Sequence, residues 1–157
     1  MLEIEIPGWR HLQLRYLVMD LNGTLALDGQ PLPGVADALR ELRSTLQLIL
    51  VTADTFGTAE DVAKDLGVEL NRLPSGDQSE QKRQIVRRLG PEHVVAMGNG
   101  ANDVGMLMEA ALAIVVLGPE GAARAALQHG DVIVSSPLTG LDLLRHPSRL
   151  KATLRRS

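Results

Sequence analysis

The 157-residue chain has no cysteine, which removes disulfides, thiolate metal sites and cysteine nucleophiles and fits a reducing compartment. Aromatic residues are almost as scarce. Trp9, Tyr16 and Phe56 are the only three, too few for a platform on which bases stack. The formal charge of −3 gives no general electrostatic case for nucleic acid. No apolar run approaches the ~20 residues that span a bilayer. The opening stretch carries Glu3 and Glu5 where a secretion signal would be basic and then apolar. The expectation is a cytoplasmic protein with no nucleic-acid and no membrane partner. The four histidines, at 11, 93, 129 and 146, show no metal-ligand spacing.

What the chain does have is alternation. Apolar runs that read as buried strands fall at 14–19, 47–51, 68–73, 93–97, 111–117 and 131–134, separated by amphipathic stretches at 35–46, 58–66, 78–89, 103–110 and 120–128. That order is the signature of βαβ units, hence an α/β Rossmann-like fold with a mainly parallel sheet and helices on both faces. The length suits one domain over 1–157. Residues 2–6 alternate and end in Pro7 and Gly8, so 1–12 reads as an edge strand or hairpin arm. At 137–157, Arg145, Arg149, Lys151, Arg155 and Arg156 surround Leu144, Leu150 and Leu154 at helical spacing. This predicts one basic amphipathic helix, its charged face either solvated or offered to an oligomer or an anionic partner.

The chemistry concentrates at predicted strand ends, where open α/β sheets bind ligands. Asp20 follows the first core strand in Asp20-Leu21-Asn22-Gly23-Thr24, and Thr52 follows the second. Asn99 and Asp103 follow the fourth in Gly98-Asn99-Gly100-Ala101-Asn102-Asp103, and Lys82 lies on the intervening helix. A carboxylate nucleophile, a hydroxyl, a lysine and hard oxygen ligands are what attack on phosphorus requires. Bland readings exist for each. Asn22-Gly23 between apolar residues is a hairpin signal for 17–27; Thr52, Asp54 or Thr55 can cap a helix; Lys82 stands among Arg83, Arg87 and Arg88 on what reads as a solvated face. The glycine loop fails the dinucleotide fingerprint, because Asp103 stands where the third glycine belongs.

In order and spacing these four motifs, Asp20 to Thr24, Val51 to Asp54, Lys82, and Gly98 to Asp103, resemble those of the haloacid dehalogenase superfamily. Within it they are similar to the phosphorylation domain of P-type ATPases and to small soluble P-type ATPase-like proteins. The resemblance implies a three-layer fold of that type and a Mg²⁺-dependent phosphatase or phosphoryl-transfer protein. Asp20 is then the phosphoryl acceptor and the Asn22 carbonyl a metal ligand, with Asn99 and Asp103 completing the metal site. Leu21, Asn22, Thr52, Ala53, Lys82 and Asn102 surround the phosphate of a small phosphorylated substrate. About 27 residues separate Thr24 from Thr52, and about 29 separate Thr52 from Lys82, which leaves no room for a cap or a nucleotide-binding insert. Relatives without a cap often oligomerise, so a homo-oligomer is expected by resemblance. Specificity would reside in loops 26–33 and 54–58, or come from a neighbouring subunit.

Two positions depart from the family pattern. Asn22 stands where most members carry an acid/base aspartate, and Asn99 where most carry a carboxylate metal ligand. The acid/base residue supplies typically 10²–10⁴ in rate, and loss of the ligand weakens the hold on Mg²⁺. With Mg²⁺, the site carries one net positive charge where the usual set carries one negative, favouring a bound phosphate dianion. Tight ground-state binding does not accelerate chemistry, so slow turnover with a long-lived bound phosphate or aspartyl phosphate is the expectation. A non-catalytic phosphate-responsive binding module is the alternative, and a receiver-type signalling domain a third reading. Both departures are also Asn-Gly pairs, whose deamidation would restore an acid.

Overall fold

The computed structural model describes residues 1–53 and 57–157. A hairpin of β1 (Leu2–Glu5) and β2 (His11–Leu14) leads into β3 (Tyr16–Met19), and a short hairpin of β4 (Ala26–Leu27) and β5 (Gln30–Pro31) follows. Next come α1 (Val35–Leu42), β6 (Gln47–Thr52), α2 (Ala59–Leu66), β7 (Glu69–Arg72), α3 (Gln78–Leu89) and β8 (Val94–Gly98). The chain continues through α4 (Val104–Glu109), β9 (Leu112–Val116), α5 (Arg124–His129), β10 (Val132–Val134), α6 (Pro137–Arg145) and α7 (Pro147–Leu154). Among the described residues no helix is long and apolar enough to cross a membrane.

The main sheet has the order β10-β9-β8-β3-β6-β7, and every pairing in it is parallel. From β3 the chain steps outward to β6 and β7, returns through α3 to β8 beside β3, and then steps outward the other way. Crossovers are right-handed almost without exception, so reversing direction sends helices to opposite faces. The core follows suit. Leu17, Met19 and Leu50 pack in one apolar layer with α1, α2 and α6, while Val18, Ile49 and Val51 pack in the other with α3, α4 and α5. The reversal lies between β3 and β8, and the carboxyl ends of these two strands flank the crevice it opens. Among the described residues only the β4–β5 hairpin and α1 lie between β3 and β6, and only α2 and β7 between β6 and α3, so neither stretch carries a cap domain.

Two expectations are corrected and one alternative reading is set aside. The stretch 137–157 forms two helices. Pro147 lacks an N–H and disfavours helical backbone at the residue before it, and His146 accordingly leaves helical geometry at φ −127° and ψ 73°. Arg145 pairs with Asp142 and Glu41 and does not join a common basic face. The hairpin around Asn22-Gly23 does not form either, because β3 is paired on both sides by β6 and β8. Residues 21–26 wind tightly instead, with the N–H groups of Thr24, Leu25 and Ala26 converging on the Leu21 carbonyl at 3.3, 2.9 and 3.0 Å. The hairpin turn is Asp28-Gly29, whose φ values of 51° and 80° suit a two-residue hairpin loop. Finally, α5 starts at Arg124, not at 120, because residues 118–121 close a turn with the Gly121 N–H donating to Gly118 O at 2.8 Å.

Candidate active site

The carboxyl ends of β3, β6 and β8 carry Asp20, Thr52 with Ala53, and Asn99, and all four line one open pocket of about 370 Å³. Lys82 reaches it from α3. The lysine is 1% exposed although three arginines share its neighbourhood. Lys82, Ile85 and Val86 are the buried residues of α3, a spacing of three and four that forms one helical stripe. The lysine Nζ donates to Asp103 Oδ1 at 2.7 Å and to Asp20 Oδ1 at 3.3 Å. One buried ammonium thus bridges two buried carboxylates from different strand ends.

Asp103 is fully buried, and its second oxygen accepts the backbone N–H groups of Asn99 and Gly100 at 2.9 and 3.0 Å. Its two oxygens therefore hold Lys82 on one side and the glycine loop on the other. Asp20 is 9% exposed. Burial, reinforced by the Asp103 charge, pushes its carboxyl up to about 7, against the pull of Lys82 and the Leu21 N–H. The two neighbouring carboxylates raise the Lys82 pKa despite its burial, so the lysine stays charged.

The two amides that replace acids are both engaged. Asn22 Oδ1 accepts the Gly29 N–H of the β4–β5 turn at 3.2 Å. Asn99 Oδ1 accepts the Thr24 hydroxyl at 3.2 Å, while its Nδ2 donates to the Gly121 carbonyl at 3.2 Å. An aspartate could not make that last bond. Deamidation needs the next residue's nitrogen to attack the side chain. Here the Gly23 N–H is tied to Ala26 O and the Gly100 N–H to Asp103 Oδ2, which opposes it at both sites.

Of the residues expected at the site, Asp20, Asn22, Thr52, Ala53, Lys82, Asn99 and Asn102 line the pocket. Asp103 lies behind Lys82. Leu21 is the exception, its side chain buried in the core and only its N–H turned to the Asp20 carboxylate. Asp54, Thr55 and Phe56 lie outside the described residues. Sequence reasoning did not find Gln78, which accepts the Asn102 amide at 2.8 Å, nor Glu120; both line the pocket. For Glu120 a signal existed, since its loop follows the carboxyl end of β9, one strand from the reversal. Nothing in the sequence marked Gln78.

A hard divalent cation suits the donors that line the pocket, which are all oxygen: the Asp20 carboxylate, the Asn22 carbonyl and the Asn99 amide oxygen, with Asp103 behind them engaged on both oxygens. Among the described residues no three His, Asp or Glu side chains gather as a metal cluster, so neutral oxygens would carry part of the coordination.

The model of a family described as haloacid dehalogenase-like hydrolase matches residues 2–111. A soluble P-type ATPase-like phosphatase of Methanocaldococcus jannaschii is 28% identical over 116 residues, 72% of this chain and 42% of that protein. A silver exporting P-type ATPase of Salmonella typhimurium is 34% identical over 136 residues, 83% of this chain and 16% of that protein. The chain thus spans less than half the length of either relative. Among solved structures, 3-deoxy-D-manno-octulosonate 8-phosphate phosphatase from Moraxella catarrhalis, in complex with magnesium ion, phosphate ion and a KDO molecule, superposes with a TM-score of 0.70 at 19% identity. That match covers 90% of this chain and 94% of the other, and it shows a shared fold.

Proposed function

The chain belongs to the haloacid dehalogenase-like hydrolase family, in a capless form, and from that premise we propose a divalent-metal-dependent phosphohydrolase that acts through an aspartyl phosphate on Asp20. The observation that carries this reading is the Lys82 bridge between Asp20 and Asp103 at the floor of the pocket. A buried, fixed ammonium beside a carboxylate at a topological reversal suits neutralising the charge that spreads over phosphoryl oxygens in the transition state.

In this reading an Asp20 oxygen attacks phosphorus, the bond to the leaving oxygen breaks, and water later attacks the aspartyl phosphate to release phosphate and restore the carboxylate. Lys82, the Thr52 hydroxyl, the Ala53 N–H and Asn102 hold the phosphoryl oxygens. Asp20, the Asn22 carbonyl and Asn99 would hold Mg²⁺, supported by the Asp103 charge behind them, and the ion when bound supplies positive charge against the phosphoryl group. Asp103, already engaged on both oxygens, serves chiefly to fix Lys82 and the loop. Asn22 has no acidic proton, and its oxygen is occupied by Gly29, so solvent protonates the leaving group. Esters with poor leaving groups then turn over slowly.

Wild type and Asp20→Ala, incubated with acetyl phosphate or p-nitrophenyl phosphate with and without Mg²⁺, test this by phosphate release and intact mass together. Release that requires both Mg²⁺ and Asp20 is the expected result, with added phosphoryl mass where dephosphorylation is slow. Phosphate binding with neither release nor adduct would make the protein a phosphate-binding module.

A further inference from the structure

Glu120 is an exposed carboxylate that, among the described residues, lines the pocket together with Asp20 and Lys82, the other charged residues described on its wall, and with neutral amides such as Asn22, Gln78 and Asn102. Among the described residues it forms no ion pair, while Lys82 is already spent on Asp20 and Asp103. Its loop is held by three hydrogen bonds, one within the turn and two to Asn99. The Gly121 N–H donates to Gly118 O at 2.8 Å, the Ala123 N–H donates to Asn99 O at 2.8 Å, and the Asn99 side-chain Nδ2 donates to Gly121 O at 3.2 Å. The Asn99 amide therefore has a use that a carboxylate lacks: it fastens the glutamate-bearing turn to the end of β8.

We propose that Glu120 is the specificity determinant of this site, selecting phosphomonoesters whose leaving group is small, polar and positively charged. The inference rests on the phosphohydrolase reading. With the phosphate on the floor at Lys82, the leaving group must extend past the exposed rim, where the free carboxylate attracts a cation and repels a second anion. The amides of Gln78 and Asn102 provide hydrogen-bond partners for a polar chain. An exposed pair is worth up to about 1 kcal/mol, which converts to about a fivefold preference.

Calorimetric titration at pH 8 with Mg²⁺ compares three near-isosteric ligands: 2-aminoethyl phosphate, 2-hydroxyethyl phosphate and 2-phosphoglycolate, with inorganic phosphate alongside. Wild type should bind the aminoethyl ester about fivefold more tightly than the hydroxyethyl ester and the glycolate more weakly still. In Glu120→Gln the aminoethyl to hydroxyethyl ratio should fall to about one, and in Glu120→Lys the order should reverse. Equal affinity of wild type for all three esters, or an unchanged ratio in Glu120→Gln, overturns the proposal while leaving the phosphate site intact. Failure of wild type to bind any ester or inorganic phosphate overturns the phosphohydrolase reading on which it stands.

Discussion

Replacing Asp20 by asparagine should stabilise the protein, and more so as the pH rises. The carboxyl is buried beside Asp103 and held at about 7, against an ordinary value of 3.8. The folded state therefore binds this proton more tightly than the unfolded chain. Such a group adds stability that is fully present below pH 3.8 and is lost as pH rises through 7. Between pH 5 and 7 the difference of nearly one proton costs about 1.4 kcal/mol per pH unit, so from pH 5 to pH 8 the loss is about 2–3 kcal/mol. The neutral amide of the Asp20→Asn variant has no such proton, and Lys82 keeps Asp103 at 2.7 Å. Urea unfolding followed by circular dichroism, with a chelator present, should show the stability of the variant relative to wild type growing by about 2–3 kcal/mol across that range. With a slope of about 1–3 kcal/mol/M, the relative midpoint should move by about 0.7–3 M. A difference that stays constant with pH to within about 0.5 kcal/mol would refute the claim that burial and Asp103 hold this proton.

The neighbouring residues give three further tests. Lys82→Met leaves two buried carboxylates without their shared cation and should cost about 3–5 kcal/mol; adding Asp103→Asn should recover part of that loss, read as non-additivity in a urea double-mutant cycle. A Cβ on Gly105 would stand 2.2 Å from the Ser79 carbonyl, on the helix that carries Lys82. Gly105→Ala should therefore destabilise by about 1–3 kcal/mol and also lower phosphate release, whereas retention of both would show that α3 can shift freely. Asn22→Asp places an acid where none exists and should raise hydrolysis of alkyl phosphates by about 10²–10⁴, with a much smaller gain for p-nitrophenyl phosphate, whose leaving group needs no proton. An equal gain for both ester types would contradict the role of Asn22 as the missing acid.

Much of this molecule is legible along the chain. The βαβ alternation follows from local apolar periodicity, and Gln78–Leu89 has the limits its amphipathic pattern predicts. Boundaries shift where a proline or a glycine turn competes with periodicity, as at Pro147 and at 118–121. The Asp28-Gly29 turn was also written in the sequence, in a dipeptide as hairpin-prone as the Asn22-Gly23 pair that does not form one; pairing of β3 on both sides decided between them.

The sequence by itself determined which residues stand at the ends of the strands, because strand order in chain and apolar spacing are local properties. Only the tertiary structure decided what those residues do to one another. That Lys82 and not Arg83 enters the pocket depends on the face by which α3 packs on the sheet. That Asp20 is pushed toward neutrality depends on the desolvation and charge that β3 and β8 impose when they become neighbours. That Asn99 ties down the turn bearing Glu120 depends on a contact across 22 residues of chain. Burial, charge proximity and tethering are all set by distances through space, and those distances exist only once the direction of the sheet has reversed between β3 and β8.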